Sequence, residues 1–258
     1  MLPMTNPIAF TLFGLDIRWY AIIMASAILC GLIMLLYRSP AWGLSKDSML
    51  DYFIWLIPFS ILGARLYYVA FEWSYYSVHP AEILAIRNGG MAIHGSIIAG
   101  LIVTVIFCKV KKINPFKLMD LVIPSVALGQ GIGRWGNYFN MEAHGVETTL
   151  PWAIPVREAG RIIYVHPTFL YESIWDILVM FFLLWYEKHH EKRYGQGFCL
   201  YLILYSAGRF FIEGLRTDSL MFLGLRQAQL ISLAMIAAGI AGYFILRKKG
   251  ELLRTEKL

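Results

Sequence analysis

The sequence predicts an all-α, polytopic integral membrane protein with about seven transmembrane helices, forming a single membrane domain over residues 1–258. Three observations carry this. Hydrophobic residues make up 58% and charged residues 16% of the chain, where an ordinary soluble domain has about a quarter charged, and the mean hydropathy is +0.58. Seven stretches approach the roughly 20 apolar residues that a helix needs to cross the hydrocarbon core. The lysines, finally, fall on one side of those stretches only.

The first stretch, residues 19–37, is free of charge. Its triplet Ala25-Ser26-Ala27 resembles a signal-peptidase site, but no cationic segment precedes it and six further stretches follow, so it reads as a helix of the mature protein. The second, 52–71, contains Arg65, and the third, 91–108, contains His94. The fourth, 118–133, contains Asp120 and ends in glycines. The fifth, 168–186, carries Glu172 and Asp176 one turn apart on a face expected to point into the bundle, with Arg65 as the expected partner. The sixth, 197–213, contains Arg209, and the seventh, 228–246, is again free of charge. Between the fourth and fifth, residues 135–167 form the longest connection, about twice the usual limit for a structureless loop, and are expected to build a small extracytoplasmic cap.

Orientation follows from Lys and Arg in the short loops. Connections after odd-numbered stretches hold Arg38 and Lys46, then Lys109, Lys111, Lys112 and Lys117, then Lys188, Lys192 and Arg193. The tail adds Arg247, Lys248, Lys249, Arg254 and Lys257, so all ten lysines share one side. The N-terminus is therefore expected outside and the C-terminus in the cytoplasm. The formal charge of +6 is then explained by topology and anionic inner-leaflet lipid, without nucleic acid. Cys30, Cys108 and Cys199 all lie in apolar runs and read as small core residues, neither a disulfide framework nor metal ligands. No His, Cys or acid spacing suggests a metal, and no phosphate-cradling loop suggests a nucleotide, so no cofactor is expected.

Residues 129–145, GQGIGRWGNYFNMEAHG, set an Arg among glycines, two asparagines and a Glu directly after an apolar run. Gly131, Gly133 and Gly136 satisfy G-x-G-x-x-G, but that pattern holds a dinucleotide only between a parallel strand and a helix, and here it ends an apolar span. Small residues that let helices approach account for Gly129 and Gly133, and Arg134 can snorkel to the interface. Neither explains Arg134, Asn137, Asn140 and Glu142 together, because polar groups at membrane depth are costly unless they serve one another or a ligand.

The same stretch resembles a known family. Gly133-Arg134-Trp135-Gly136-Asn137-Tyr138-Phe139-Asn140-Met141-Glu142-Ala143-His144-Gly145 is similar to the signature G-R-x-G-N-F-x-N-x-E-x-x-G of the prolipoprotein diacylglyceryl transferases, departing at Tyr138. Ile17 to Tyr20, Gly63 to Tyr68, Asn88 to Gly95, His166 to Glu172, and Tyr205 through Arg209 to Glu213 and Arg216 extend the resemblance over most of the chain, with Ser96 where many members have Gly. The resemblance implies an enzyme of the bacterial cell membrane that moves the diacylglyceryl group of phosphatidylglycerol onto the thiol of the lipobox Cys in a prolipoprotein signal peptide, releasing glycerol 1-phosphate. Its active site is implied to face outward.

That chemistry needs the charge of a phosphate leaving group held and a thiol made anionic. Guanidinium forks suit the first task, and Arg134 and Arg209 are the candidates. Tyr205, Arg209 and Glu213 stand at i, i+4 and i+8 on one helical face, with Arg216 at its outer end; an Arg209–Glu213 pair that only glues helices is the structural alternative. A thiol with a pKa near 8.5 is only a few per cent ionised at neutral pH, so a base or nearby cations would help. His94, matched by the family's His-Gly segment, is the candidate base, with helix packing as its plain role. Tyr205 joins the catalytic set. Tyr20, Asn137, Asn140, Glu142, Gly145, His166 and Glu213 are the candidate substrate contacts. Glu142 has a counter-ion role as alternative, His166 a capping role, and Gly145 rests on the resemblance alone. The rival class is an anion transporter with arginines between broken helices, but these seven stretches show no repeat that would divide them into halves.

Overall fold

A computed structural model describes residues 6–86, 89–158, 160–190, 193–222 and 224–249. The expectations placed on Asn88, Lys192, Arg254 and Lys257 lie outside them. The chain is mostly helical, with α1 (Trp19–Arg38), α2 (Lys46–Phe71), a one-turn α3 (Trp73–Tyr76), α4 (Ile93–Lys111), α5 (Pro115–Asn140), α6 (Thr168–His189), α7 (Gln196–Glu213) and α8 (Gln227–Lys249). Five of these, α1, α2, α4, α6 and α8, are long and apolar enough to cross a membrane. The two long helices outside that set, α5 and α7, are the ones that carry Arg134 and Arg209. Their polar side chains dilute their apolar character without shortening them.

The all-α class agrees with this mostly helical chain, and three short antiparallel hairpins among the described residues join the helices: β1 (Ile8–Leu12) with β2 (Leu15–Arg18), β3 (Ile154–Glu158) with β4 (Arg161–Val165), and β5 (Met221–Phe222) with β6 (Leu225–Arg226). The second hairpin lies in the segment expected to form a cap and packs Ile154, Val156 and Val165 on Phe169 of α6. Alternation of inward and outward side chains on a short strand pair explains why this connection is ordered although it is too polar to be a membrane helix. A correction concerns α5, expected to end near Gly133. It runs on to Asn140, because its glycines are contact points inside a continuous helix: a Cβ at Gly131 would meet the Ile177 side chain at 2.9 Å, and one at Gly136 would meet the Tyr20 ring at 2.6 Å.

Two compact units divide the chain. One takes residues up to Leu35 and those from Met119 onward. Its interior is built by α5, α6 and α7 around Ile123, Ala127, Val179, Met180, Leu183 and Tyr201. Trp175 of α6 lies across Gly208 of α7 and donates from Nε1 to Leu204 O at 2.8 Å. The N-terminal end of α7 is held by Asp120 of α5, which accepts from the backbone N–H groups of Gly195 and Phe198, each at 2.7 Å.

The other unit is Leu36–Leu118. Here α2 and α4 cross with backbones in contact, since a Cβ at Gly95 would lie 2.2 Å from Gly63 O. Tyr52 and Thr104 share a hydrogen bond of 2.9 Å, and Ser96 Oγ donates to Ser60 O at 3.0 Å. Such side chain bonds across small residues are the usual adhesive where lipid removes the hydrophobic drive for helix association. Large apolar side chains that point away from the packed faces, among them Ile33, Ile54, Trp55, Ile97, Phe181 and Ile245, are exposed, as helices that face lipid require.

Candidate functional site

Three helices of the larger unit bring arginines and carboxylates to one place. Glu172, in the second turn of α6, is only 4% exposed. Its Oε1 accepts from Arg209 Nη1 at 2.6 Å, and its Oε2 lies 2.6 Å from Arg134 Nε. Arg216 Nη1, from the segment after α7, reaches Oε1 at 3.5 Å. Arg209 turns its other terminal nitrogen to Glu213 Oε2 at 2.7 Å, the i, i+4 pair that the spacing on α7 predicts. The partners expected at the sequence level are therefore corrected. Glu172 is held by Arg134, Arg209 and Arg216, while Arg65, 1% exposed, spends its N–H groups on the backbone oxygens of Glu82, Ile83, Gly89 and Gly90. Arg65 thus orders the loop that leads into α4.

Asp176 follows Glu172 one turn on, 3% exposed, and interacts electrostatically with Arg134, Glu172 and Arg209. Tyr205 of α7 interacts with Arg134 and stacks on Tyr201 at 5.4 Å, and Tyr201 donates its hydroxyl to Gln130 Oε1 at 2.8 Å. Buried charges are tolerated when each has a partner. In this set Glu172 and Glu213 are ion-paired to arginines, and the Arg134 and Arg209 side chains remain 22% and 21% exposed.

Past Arg134, the end of α5 forms a second polar group. Glu142 Oε1 accepts from Asn137 Nδ2 at 3.0 Å and Asn140 Nδ2 at 3.3 Å. Glu142 is flanked by Met141 and Ala143, both at positive φ (53° and 57°). Non-glycine residues in the left-handed region store strain that surrounding structure must hold, and here it aims one carboxylate back over the helix end. Tyr20 feels the charges of both Glu142 and Arg134, which joins the two groups at the Gly136 contact. Glu142 is engaged with the two asparagines, and Arg134 with Glu172, so the counter-ion role open to Glu142 falls to Glu172.

Gly145 has a packing role that spacing did not reveal. Its N–H donates to His166 O at 3.0 Å, it bridges to Arg216, and an added Cβ would stand 2.7 Å from His166 Cβ and 3.1 Å from Leu215 O. His166 does not cap α6 through its side chain; its Nδ1 is 3.2 Å from the Tyr171 hydroxyl. At the rim, Asp218 receives Arg216 Nε at 2.9 Å and Nη2 at 2.7 Å. Partial burial works to raise its carboxyl, but the hydrogen bond and charge of Arg216 outweigh that and hold it below the usual carboxylate range.

His94 belongs to the Leu36–Leu118 unit, at the second position of α4, exposed and stacked on Tyr67 with ring centroids 5.9 Å apart. Among the described residues no group of three His, Cys, Asp or Glu is placed to hold a metal ion.

An apolar groove of about 470 Å³ is bounded by α1, α5 and α6 and lined by Trp19, Ile23, Ile132, Trp135, Phe139 and Ile177. Its wall is fixed by Trp135 Nε1 donating to Ser173 Oγ at 3.2 Å and by Ser173 donating in turn to Gly131 O at 2.7 Å. Trp135 and Ser173 are the chain neighbours of Arg134 and Glu172, so the same turns of α5 and α6 carry groove and arginine-cluster residues on different faces.

Comparison with known proteins agrees with the motif reading. Residues 7–245 match the family described as Prolipoprotein diacylglyceryl transferase. The chain is 48% identical over 244 residues to a phosphatidylglycerol–prolipoprotein diacylglyceryl transferase of Clostridioides difficile, covering 95% of this chain and 96% of that protein. A protein of the same name from Finegoldia magna is 46% identical over 233 residues, 90% of this chain and 92% of the relative. One from Staphylococcus saprophyticus is 46% identical over 253 residues, at 95% and 90% coverage.

Proposed function

The chain belongs to the prolipoprotein diacylglyceryl transferase family, and from that premise we propose that Arg134 and Arg209 hold the phosphate of phosphatidylglycerol while its glyceryl carbon is attacked. The protein is a transferase that moves the diacylglyceryl group of phosphatidylglycerol onto prolipoproteins, the first step of lipoprotein maturation. The observation that carries the site assignment is the convergence of two partly exposed guanidiniums, from α5 and α7, on one buried carboxylate.

The acceptor is the thiol of a lipobox Cys. Sulfur forms a bond to the glyceryl carbon as the carbon–oxygen bond to phosphate breaks, and glycerol 1-phosphate leaves with the electron pair. Charge therefore grows on the phosphate oxygens in the transition state, where forked N–H donors in a dry site stabilise it most. His94 takes the thiol proton, a role supported by the family's His-Gly segment. Tyr205 sets Arg134 from the α7 side. Asn137, Asn140 and Glu142 bind the glycerol hydroxyls of the headgroup, and Tyr20, Gly145, His166 and Glu213 complete the substrate contacts; the Asn137–Asn140–Glu142 hydrogen bonds and the Gly145–His166 contact support this grouping.

Lipid reaches the site sideways from the bilayer, with an acyl chain in the groove beside Trp135, which removes any need for a soluble carrier or cofactor. We infer seven spanning helices, α5 and α7 included, in a bacterial cell membrane, with the N-terminus outside and the C-terminus in the cytoplasm. The one-sided lysines, of which Lys46, Lys109, Lys117 and Lys188 are among the described residues, support that orientation. The active site then faces outward.

The test is direct. Detergent-purified protein is mixed with phosphatidylglycerol and a lipobox peptide with one Cys, and the peptide is weighed while glycerol phosphate is assayed. A diacylglyceryl mass gain matched by glycerol phosphate is expected, abolished by Cys→Ser in the peptide. Wild-type turnover in folded Arg134→Gln would sink the phosphate-ligand role.

A further inference from the structure

We propose that Glu172 is a positioning residue of the phosphate site, the carboxylate that sets how far apart Arg134 and Arg209 stand and which way their forks face. The proposal rests on the reading of those arginines as phosphate ligands. Glu172 comes from a third helix and lies behind the two guanidiniums, its side chain 5% exposed against their 22% and 21%. A single carboxylate uses one oxygen on each, at 2.6 Å in both cases, and so ties a long side chain of α5 to one of α7. Long flexible arginines have much rotamer freedom to lose, and a shared buried anchor removes it before any ligand arrives.

The two contacts differ in kind. Oε1 accepts a true hydrogen bond from Arg209 Nη1, whereas Oε2, although close to Arg134 Nε, accepts none among the described residues. The Nε–H of Arg134 is not aligned on Oε2, and Arg134 is hydrogen-bonded to Tyr205 as well, so Glu172 from α6 and Tyr205 from α7 hold this guanidinium between them. Arg216 adds a third guanidinium to the same carboxylate at 3.5 Å, and Asp218 fixes Arg216 from outside. Three cations from three elements thus depend on one side chain that itself stays behind the site.

This arrangement separates two effects. The negative charge of Glu172 weakens the pull of the arginines on any anion in the ground state, while its geometry places them for the transition state. Interactions that serve the transition state selectively appear in kcat, and those shared with the ground state appear in KM and in product affinity.

The experiment uses the full chain in detergent, phosphatidylglycerol with the lipobox peptide, and glycerol 1-phosphate as inhibitor, with thermal melts alongside. Glu172→Gln, nearly isosteric and uncharged, is expected to lower kcat by roughly 100-fold while glycerol 1-phosphate inhibits about tenfold more tightly. Glu172→Asp, which keeps the charge but shortens the reach, is expected to lower kcat about tenfold with product inhibition unchanged. Loss of turnover in both variants only in proportion to lost folded protein, with kcat per folded molecule and inhibition at wild-type values, would overturn the proposal and leave Glu172 a packing residue. Arg134→Gln and Arg209→Gln run in the same assay separate the two readings. If they abolish turnover while Glu172→Gln is neutral, only the positioning role fails; if they too are active, the phosphate-ligand reading fails first.

Discussion

Arg209→Lys isolates what a fork contributes beyond charge. Arg209 spreads its two terminal nitrogens between carboxylates, Nη1 to Glu172 at 2.6 Å and Nη2 to Glu213 at 2.7 Å. A lysine keeps the positive charge but has one nitrogen on a stem that cannot face both oxygens and still offer a hydrogen to phosphate. The substitution therefore removes one charge-assisted hydrogen bond, worth about 1.5–3 kcal/mol. At 1.36 kcal/mol per tenfold in rate, kcat/KM should fall roughly 10- to 150-fold. Because the charge remains, the buried acids keep a cationic neighbour, and the thermal melt should move far less than in a neutral substitution. The measurement is the mass gain of a lipobox peptide against time over a range of phosphatidylglycerol concentrations. Arg209→Lys within threefold of wild type would refute the reasoning, because charge alone would then suffice and the fork geometry would be incidental.

His94→Asn is expected to lower turnover by roughly 100-fold or more at neutral pH, and to recover part of it as the pH approaches 9, where the peptide thiol ionises unaided; a loss that stays the same across that range would remove His94 as proton acceptor. Gly145→Ala puts a methyl group 2.7 Å from His166 Cβ and 3.1 Å from Leu215 O. It should cost about 1–3 kcal/mol in stability, with activity falling further than the melt because Arg216 pairs with the same backbone. Asp218 gives a pH dependence with a definite sign: its folded carboxyl lies below the usual carboxylate range, so its contribution is present above that range and is lost as the pH falls through the lower folded value. Asp218→Asn should therefore melt slightly below wild type at pH 7, by no more than an exposed ion pair is worth, and the gap should close as the pH falls through the folded value.

Much of this architecture is legible from residue order, and the misses have physical causes. The five most apolar helices follow from length and hydropathy, and the Tyr205–Arg209–Glu213 face of α7 follows from helical spacing, which the Arg209–Glu213 pair realises at 2.7 Å. Glu172 was legible as a buried acid on α6, but periodicity says only that a side chain points inward. It cannot say which helix stands opposite, and so Arg65 was expected where Arg134, Arg209 and Arg216 stand. The β3–β4 hairpin was missed although a signal was available. Ile154, Val156, Ile163 and Val165 alternate with polar or exposed residues around a connection ending in Gly160, which sits at φ +80°.

The glycines of α5 misled for a related reason. In water a run such as Gly129, Gly131, Gly133 and Gly136 ends a helix, whereas between membrane helices it marks where neighbours touch, here Ile177 and Tyr20. The hydropathy signal is weakest along α5 and α7, and those two helices hold the arginines. A catalytic charge has to be carried into the membrane by some element, and that element loses apolar character in proportion. In a chain of this class, the helices that fit the hydrophobic criterion least well are therefore the first place to look for the chemistry, provided their polar residues share one face and find carboxylates on the helices beside them. Here both conditions meet at Glu172, which is ion-paired to the arginines of both helices.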